Sequence, residues 1–437
     1  MIYLDHAATA APRRDVLEAM WPWLTSEFGN ASSHHERGRR AAHALEDARE
    51  RVAAVLHARP GGIVFTSGGT EADNLAVKGI ALARRERRAT RTRVVTSAIE
   101  HHAVLDSAAD LARYDGFTAR TVPVDPSGAV TPEAFRTALL GNDDAARQGA
   151  QHTAPGAGGR AGGVMHRGEN ETPVAVRSTT APDGAAPEGG AEVAVASVML
   201  ANNEVGTVQD IAALAEIAAE HGVPLHTDAV QAAGVLPLDV RTLGVSALSL
   251  AGHKIGTPPG IGLLWIARGT PLRPLLSGGG HERGRRSGTS TVAGAVGLAV
   301  ALERAEAERE EHARRTAALR DRFIEGILGR VPGAVLTGPD PSASGNRLAT
   351  NASFCFPGVN GETVLVDLEN RGVQVSSGSA CSAGSTEPSH VLTALGLSPE
   401  VASTAVRFSL GRDTTAQDVD TAIAATADVV AALQGRG

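Results

Sequence analysis

Short apolar runs alternate with helical patterns through the first two thirds of the chain. Within residues 41–56, for example, Leu45, Ala48, Val52 and Val55 recur at the spacing of one helical face. Strands that alternate with helices predict an α/β fold, in which helices cover both faces of a mostly parallel sheet. The runs with the length and composition of buried strands are residues 62–66, 93–96, 193–200, 223–226 and 262–266.

After about residue 291 the pattern changes. A long helical stretch runs to about residue 327, and a closing helix ends the chain. Between them lie shorter elements of both kinds, at residues 352–356, 362–370, 373–376 and 406–410. This succession of short strands and helices is typical of a smaller α+β domain. We therefore predict a large domain over residues 14–300 and a small domain built from residues 1–13 and 301–437.

Residues 141–190 fit neither domain. They contain no Leu, Ile or aromatic residue and are rich in Gly, Ala, Pro and polar residues. A segment of this composition cannot bury enough apolar surface to offset its loss of conformational entropy. We predict a disordered insertion between a helix that ends near residue 140 and a strand that starts near residue 193.

Composition narrows the classes of function. The 437 residues carry a net charge of −7, which argues against a protein whose main role is to bind nucleic acid. No run approaches the roughly 18 consecutive apolar residues of a membrane helix, and the N-terminus has no signal-peptide pattern. The two cysteines, Cys355 and Cys381, exclude a disulfide framework. We predict a cytoplasmic protein that binds neither membranes nor nucleic acid directly.

Lys254 and Asp228 each follow a predicted strand. An arbitrary lysine is most often a solvated surface charge, and Asp228 could simply cap the helical stretch after it. In open parallel sheets, however, ligands bind at the carboxyl ends of the strands. A Schiff-base lysine and a carboxylate that pairs with the ring nitrogen are the two fixed requirements of a pyridoxal phosphate site. The two residues together therefore indicate that cofactor.

The sequence also offers a candidate phosphate-binding turn and a candidate ring-stacking histidine. The run SGGTE at residues 67–71 supplies hydroxyls and backbone N–H groups at a helix start, although an ordinary strand-to-helix connection has the same pattern. His101 opens a helix after a strand. We favour an imidazole that stacks on the cofactor and moves a proton over a capping or surface histidine. We predict no resident metal, because no metal-ligand spacing occurs.

Cys381 has the surroundings of an accessible thiol. It follows SGSA at residues 377–380, whereas Cys355 lies between Phe354 and Phe356. Structural cysteines are usually buried among bulky apolar residues. We therefore interpret Cys355 as a core residue and Cys381 as the candidate nucleophile.

Ten short motifs, in order along nearly the whole chain, resemble those of the cysteine desulfurases of the IscS and NifS type. This group belongs to the class V aminotransferases and to fold-type I of the pyridoxal phosphate enzymes. Any single motif could occur by chance, but the ordered set is specific. The motifs are YLDHAAT (3–9), FTSGGTEADN (65–74), EHHAVL (100–105), ANNEVG (201–206), DAVQ (228–231), GHK (252–254), GGGHERG (278–284), RSGT (286–289), SGSAC (377–381) and RFSLG (407–411).

The resemblance implies a large pyridoxal-phosphate-binding domain with a mostly parallel seven-stranded sheet, and a smaller α+β domain that carries the catalytic cysteine. It implies that Cys381, Lys254 and His101 are catalytic, and that Arg407 clamps the substrate α-carboxylate. Asn203 would contact the cofactor or the substrate. The implied cofactor-binding residues are Gly69, Thr70, His101, Asn203, Asp228, Gln231, His253, Lys254 and, from a neighbouring subunit, Thr289.

The implied reaction removes sulfur from L-cysteine, gives L-alanine and leaves a persulfide on Cys381. The sulfur would pass to an acceptor or iron–sulfur scaffold protein, for iron–sulfur cluster assembly or tRNA thiolation, and Cys381 could also ligate a transferred cluster. Shared sites imply a homodimer. The alternatives are a selenocysteine lyase, another pyridoxal phosphate lyase of this fold, or a catalytically silent sulfur-relay partner. One departure is Ala251, where the family usually has a serine that helps to hold phosphate.

Overall fold

The computed structural model describes residues 1–141, 192–344, 346–377 and 388–435, and for residues 343 and 344 it describes the backbone only. Gly141, with a φ of 78°, ends a helix. The rest of the predicted disordered insertion at residues 141–190 lies outside the described residues, and so does Cys381. Within the described ranges, no helix is both long and apolar enough to span a membrane.

Seven strands form the main sheet. They are β2 (Ile63–Thr66), β3 (Arg91–Ser97), β4 (Thr118–Val122), β5 (Glu192–Ser197), β6 (Leu225–Asp228), β7 (Ala247–Ala251) and β8 (Gly262–Ile266). Their order is β2-β8-β7-β6-β5-β3-β4, and only β8 runs antiparallel to its neighbours. The predicted α/β class and the mostly parallel seven-stranded sheet are confirmed. β4 is not predicted from the sequence, because three of its five residues are exposed.

Helices pack on both faces of this sheet. Alternate residues of a strand point to opposite faces, so Val94 and Val95 of β3 belong to two separate cores. α3 and α4 cover the face of Val94, and α2, α5, α6 and the start of α7 cover the face of Val95. The α-helices of five or more residues in the described ranges are α1 (Arg14–Leu24), α2 (Glu36–Val55), α3 (Gly69–Arg87), α4 (His102–Tyr114), α5 (Pro132–Leu140), α6 (Ile211–Glu220), α7 (Val292–Arg330), α8 (Gly361–Asn370), α9 (His390–Ala394) and α10 (Ala416–Gln434).

A second, antiparallel sheet lies in the C-terminal part of the chain. Its order is β12-β13-β10-β9, formed by Ser376–Ser377, Ala405–Ser409, Asn351–Cys355 and Val335–Leu336 respectively. The sequence predicts one strand at residues 373–376, and this is wrong. Val375 separates β12 from β11 (Val373–Gln374), which pairs in parallel with β1 (Ile2–Tyr3) instead. The segment divides because its two halves pair with different strands.

Helix α7, which is 39 residues long, crosses the predicted domain boundary at residue 300. Residues 292–305 contribute to the core of the main sheet. Phe323, Ile324 and Ile327 pack instead with Phe354 and Phe408 of the second sheet. The division into residues 14–300 and residues 1–13 plus 301–437 stays a prediction.

The N-terminal segment lies against the C-terminal strands. β1 pairs with β11, and Leu4 packs in the same core as Phe408. The backbone N–H of Ala7 donates to Ser409 Oγ at 2.9 Å, a contact between residues 402 positions apart. The start of the chain is therefore positioned by its last strands.

Candidate active site

Lys254 lies just after β7, in the 3₁₀ turn Gly252–Lys254. Its Nζ donates to the carbonyl oxygens of Ala7 and Ala8, at 2.5 and 2.7 Å. Gln231 Nε2 donates to the same Ala7 oxygen at 3.0 Å. The structure therefore brings Lys254 and Gln231 together at one point of the N-terminal segment, where both line a cleft.

Asp228 ends β6 and is buried. Its Oδ1 accepts a hydrogen bond from the backbone N–H of Val230 at 2.8 Å, so the carboxylate does cap the following turn. Burial raises the pKa of Asp228 above its ordinary value, and the hydrogen bond from Val230 and the positive charge of Lys254 oppose this effect. A carboxyl group held in this way can share a proton with a basic ring nitrogen.

The turn that begins α3 fits against the ends of β6 and β7. A Cβ atom on Gly69 would lie 2.9 Å from Val230 Cγ2 and 3.4 Å from Ala251 Cβ, so only glycine allows this approach. The helix N-cap, Gly68, offers no side chain to the first turn. The N-terminus of this 19-residue helix, with the exposed Thr70, is therefore open to an anion beside Ala251.

Two histidines flank these groups. His253 Nδ1 lies 3.2 Å from Thr9 Oγ1, and burial together with the charge of Lys254 lowers its pKa to about 4. His101 Nδ1 accepts a hydrogen bond from the backbone N–H of Ala103 at 3.1 Å and caps α4. The neutral ring of His101 therefore carries its proton on Nε2. The capping alternative for His101 is realised, and its stacking on a cofactor stays a prediction.

Arg407 is buried on β13, and two contacts hold its guanidinium group. Nη2 donates to Asp5 Oδ1 at 2.7 Å, and Nη1 donates to the carbonyl oxygen of Asn203 at 3.1 Å. Among the described residues, its Nε has no hydrogen-bond partner. Ser376 of β12, five residues before Cys381 in the sequence, pairs with Arg407 across the sheet.

Glu204 is a buried carboxyl group beside this site. It accepts a hydrogen bond from Ser389 Oγ at 2.6 Å. Burial raises the pKa of Glu204 to about 7, although Ser389, Arg407 and His101 all act to lower it. Sequence reasoning assigned no role to Glu204 or Asp5, although both lie within the motifs ANNEVG and YLDHAAT. Their positions in those motifs were the available signal.

Replacing Glu204 by glutamine should change the pH dependence of stability. Between the ordinary pKa of 4.5 and the folded pKa of about 7, the native state keeps a proton that the unfolded state has released. The free energy of unfolding therefore falls as pH rises through this range, by about 3 kcal/mol for this group. Urea unfolding at pH 5 and pH 8 should show a smaller fall for Glu204→Gln. An unchanged fall, equal to that of the exposed control Glu362→Gln, would contradict the assignment.

Two predicted site residues are not joined to the others in this chain. Thr289 is exposed three residues beyond Arg286, and none of the described hydrogen bonds links it to the other predicted site residues. Cys381 lies outside the described residues. Before Cys381, the last described residue is Ser377, which lies next to the strand of Arg407. After Cys381, the description resumes at Pro388, next to the Ser389 that contacts Glu204.

The residues that the structure does bring together fit pyridoxal phosphate. The uncapped start of α3 and Thr70 suit a phosphate, the buried Asp228 suits a ring nitrogen, and the Lys254 amine lies at the next strand end. The close approach of Gly69 to Ala251 sets the phosphate turn against that strand.

Comparison with known proteins agrees with this fit. The family model "Aminotransferase class-V" matches residues 2–146 and 188–421. An IscS-like cysteine desulfurase of Mycobacterium tuberculosis is 43% identical over 97% of this chain and 94% of its own length.

Two solved structures are also similar. A NifS-like protein superposes with a TM-score of 0.78 at 31% identity, over 99% of this chain and 100% of that one. A structure described as SspA in complex with cysteine superposes with a TM-score of 0.70 at 32% identity, over 94% of this chain and 99% of that one. The chain therefore belongs to the class-V aminotransferase family and, within it, to the group of IscS- and NifS-type cysteine desulfurases.

Proposed function

We propose that the protein is a pyridoxal-phosphate-dependent cysteine desulfurase that converts L-cysteine to L-alanine and leaves the sulfur as a persulfide on Cys381. The observation that carries the proposal is the meeting of Lys254 and Gln231 at the Ala7 carbonyl group, beside the buried Asp228. Membership of the desulfurase group supports the choice of substrate.

The bound cofactor supplies an electron sink for the bonds at the substrate Cα. Lys254 removes the Cα proton, Asp228 shares a proton with the ring nitrogen, and the Nε2–H group of His101 donates a hydrogen bond within the site. The Cys381 thiolate then attacks the substrate sulfur. A sulfur–sulfur bond forms on Cys381 as the substrate Cβ–sulfur bond breaks. The substrate Cβ then takes up one proton, and Cα takes back the proton that Lys254 removed, which gives alanine.

Asn203 and Arg407 bind the substrate in this proposal. Arg407 is already oriented by Asp5 and by the Asn203 carbonyl, and its planar guanidinium group is suited to a carboxylate. Asp5 and the Asn203 carbonyl group hold the two terminal nitrogens of Arg407, so the plane of the guanidinium group is fixed before the substrate binds.

The variant Arg407→Lys should raise KM for L-cysteine by roughly 10- to 100-fold, because an ammonium group cannot make the paired contacts of a guanidinium group. The absorbance of the bound cofactor should be retained. Steady-state kinetics would test this against Arg371→Lys, an exposed arginine that pairs with Asp428 away from the cleft that Lys254 lines. An unchanged KM in Arg407→Lys would remove this residue from substrate binding.

We propose a homodimer, in which Thr289 of each subunit contacts the phosphate in the other. The exposure of Thr289 supports this arrangement. Light scattering should give twice the chain mass, and a monomer would refute the shared site. The persulfide would pass in the cytoplasm to a sulfur-acceptor or iron–sulfur scaffold protein, for cluster assembly or tRNA thiolation.

The proposed function is tested by the absorbance spectrum of the purified protein, followed by the addition of L-cysteine. We expect a cofactor band that changes with cysteine, with alanine and sulfide formed together in the presence of a thiol. A cofactor band without alanine would indicate another lyase of this fold, and the same assay with selenocysteine would identify a selenocysteine lyase. The absence of a band after pyridoxal phosphate is added would overturn the proposal.

A further inference from the structure

The loop at residues 278–289, called here the glycine-rich loop, has an unfavourable backbone conformation. Glu282 and Arg283 have φ values of 50° and 59°, in the left-handed region that residues other than glycine rarely adopt. Gly280 and Gly284, on either side, have φ values of 69° and 79°. Specific contacts are needed to hold two larger residues in this conformation.

The first such contact is the inner pair, Arg49 and Glu282. Their side chains are 3% and 2% exposed, and Arg49 Nη1 and Nη2 donate to the two carboxylate oxygens at 2.7 and 3.0 Å. Glu282 Oε2 also accepts from the backbone N–H of Phe65 at 3.0 Å, and Arg49 Nη1 donates to the Ile63 carbonyl oxygen at 2.8 Å. The inner pair therefore attaches the glycine-rich loop to β2.

The second contact is the outer pair, Glu71 and Arg286. Arg286 Nε and Nη2 donate to the two carboxylate oxygens at 2.8 and 3.2 Å. Glu71 Oε2 also accepts from the backbone N–H of Ser67 at 2.7 Å. Burial alone would raise the pKa of Glu71, but the hydrogen bonds from Arg286 and Ser67 hold it below its ordinary value. The outer pair attaches the same loop to the turn at residues 67–70.

Both pairs therefore connect the glycine-rich loop to the strand and turn that precede α3. This turn is the proposed phosphate site of its own subunit, and Thr289, three residues after Arg286, is the proposed phosphate contact in the other subunit. The inner pair holds Glu282, the first of the two left-handed residues, and the outer pair holds Arg286, three residues after the second. Neither pair includes a residue that we assign to cofactor contact.

We infer that the inner and outer pairs are positioning residues for the cofactor phosphate. They hold two elements in one fixed arrangement: the turn at residues 67–70, and Thr289, which contacts the phosphate in the other subunit. The inference rests on the proposed function. It assigns a role in phosphate binding to four side chains, Arg49, Glu71, Glu282 and Arg286, that act through other residues.

The test measures the dissociation constants of pyridoxal phosphate and of pyridoxal for the cofactor-free full chain, by absorbance titration. Glu71→Gln should weaken pyridoxal phosphate binding by roughly 10-fold or more, because it removes a bidentate charge-assisted contact. Binding of pyridoxal should change less than about 2-fold, because pyridoxal has no phosphate for the turn to hold. A change of this size is usual for a substitution away from the contacts of a ligand. Glu282→Gln should also weaken pyridoxal phosphate binding. Because this variant leaves the Arg49 guanidinium buried without its carboxylate partner, its thermal unfolding is measured in parallel to detect a loss of stability.

Glu303→Gln is the matched control. Glu303 accepts hydrogen bonds from Arg51 Nε and Nη2 at 2.9 and 2.6 Å, the same bidentate arrangement, but no described hydrogen bond joins either residue to the glycine-rich loop, β2 or the turn. Its two dissociation constants should stay at the wild-type values. In the double variant Glu71→Gln/Arg286→Gln, the loss should be no greater than that of the more affected single variant, because both changes break one contact.

Three results separate the possible failures. Unchanged pyridoxal phosphate binding in Glu71→Gln overturns the inference. An equal loss for pyridoxal and pyridoxal phosphate also overturns it, because it would show a general loosening of the fold. A wild-type chain that binds neither compound refutes the proposed function itself.

Discussion

Replacing Lys254 by alanine is expected to lower the rate of alanine formation from L-cysteine by at least about 10³-fold, the scale of a lost general base together with the loss of covalent cofactor attachment. The chain contains only two lysines, Lys78 and Lys254, which makes the experiment unusually clear. Borohydride reduction of the wild-type holoenzyme should attach the cofactor permanently to one of them, and peptide mass spectrometry should locate it at Lys254.

Lys78 provides the matched control for this experiment. It lies on α3 and forms an ion pair with Asp110 at 2.6 Å, away from the cleft that Lys254 lines. Lys78→Arg keeps that charge and should leave both turnover and the reduced adduct unchanged. An adduct on Lys78, or full turnover in Lys254→Ala, would refute the assigned site.

The second large effect is expected from Cys381→Ser, which should abolish persulfide formation while the cofactor spectrum and its response to cysteine remain. The loss should exceed about 10³-fold, as is usual when an enzyme loses its nucleophile. Intact-protein mass spectrometry after a single exposure to L-cysteine should detect one added sulfur atom in the wild type and none in the variant.

Cys355 is the other thiol of the chain and therefore the control. It is fully buried on β10, and burial raises its pKa to about 11, so almost none of it is thiolate at neutral pH. Cys355→Ala should keep the added sulfur atom. If the sulfur were found on Cys355, or if Cys381→Ser desulfurated cysteine at the wild-type rate, the proposed mechanism would fail.

Local patterns were sufficient to predict the groups that lie at strand ends. Lys254 and Asp228 follow apolar runs that form β7 and β6, so their positions at the carboxyl edge of the sheet follow from the chain itself. The α/β class followed from the same alternation of patterns. β4 escaped prediction because it lacks a buried apolar run, and the strand at residues 373–376 divided because of pairing with β1.

Contacts between distant residues were beyond local reasoning. Asp5 and Arg407 are 402 positions apart, and Arg49 and Glu282 are 233 positions apart. No pattern in a short window indicates which arginine will meet which carboxylate, because the sheet order decides it. The chain has far more arginines than lysines, which makes such a choice harder from sequence alone.

The anchoring of the N-terminal segment has a consequence for biosynthesis. The Ala7 and Ala8 carbonyl groups that contact Lys254 belong to a segment whose partners, β11 and Ser409, are synthesised about 370 to 400 residues later. At about 5–20 residues per second, this segment waits roughly 20–80 s for them. We therefore expect the cleft to be completed, and pyridoxal phosphate to bind, only after β13 has left the ribosome.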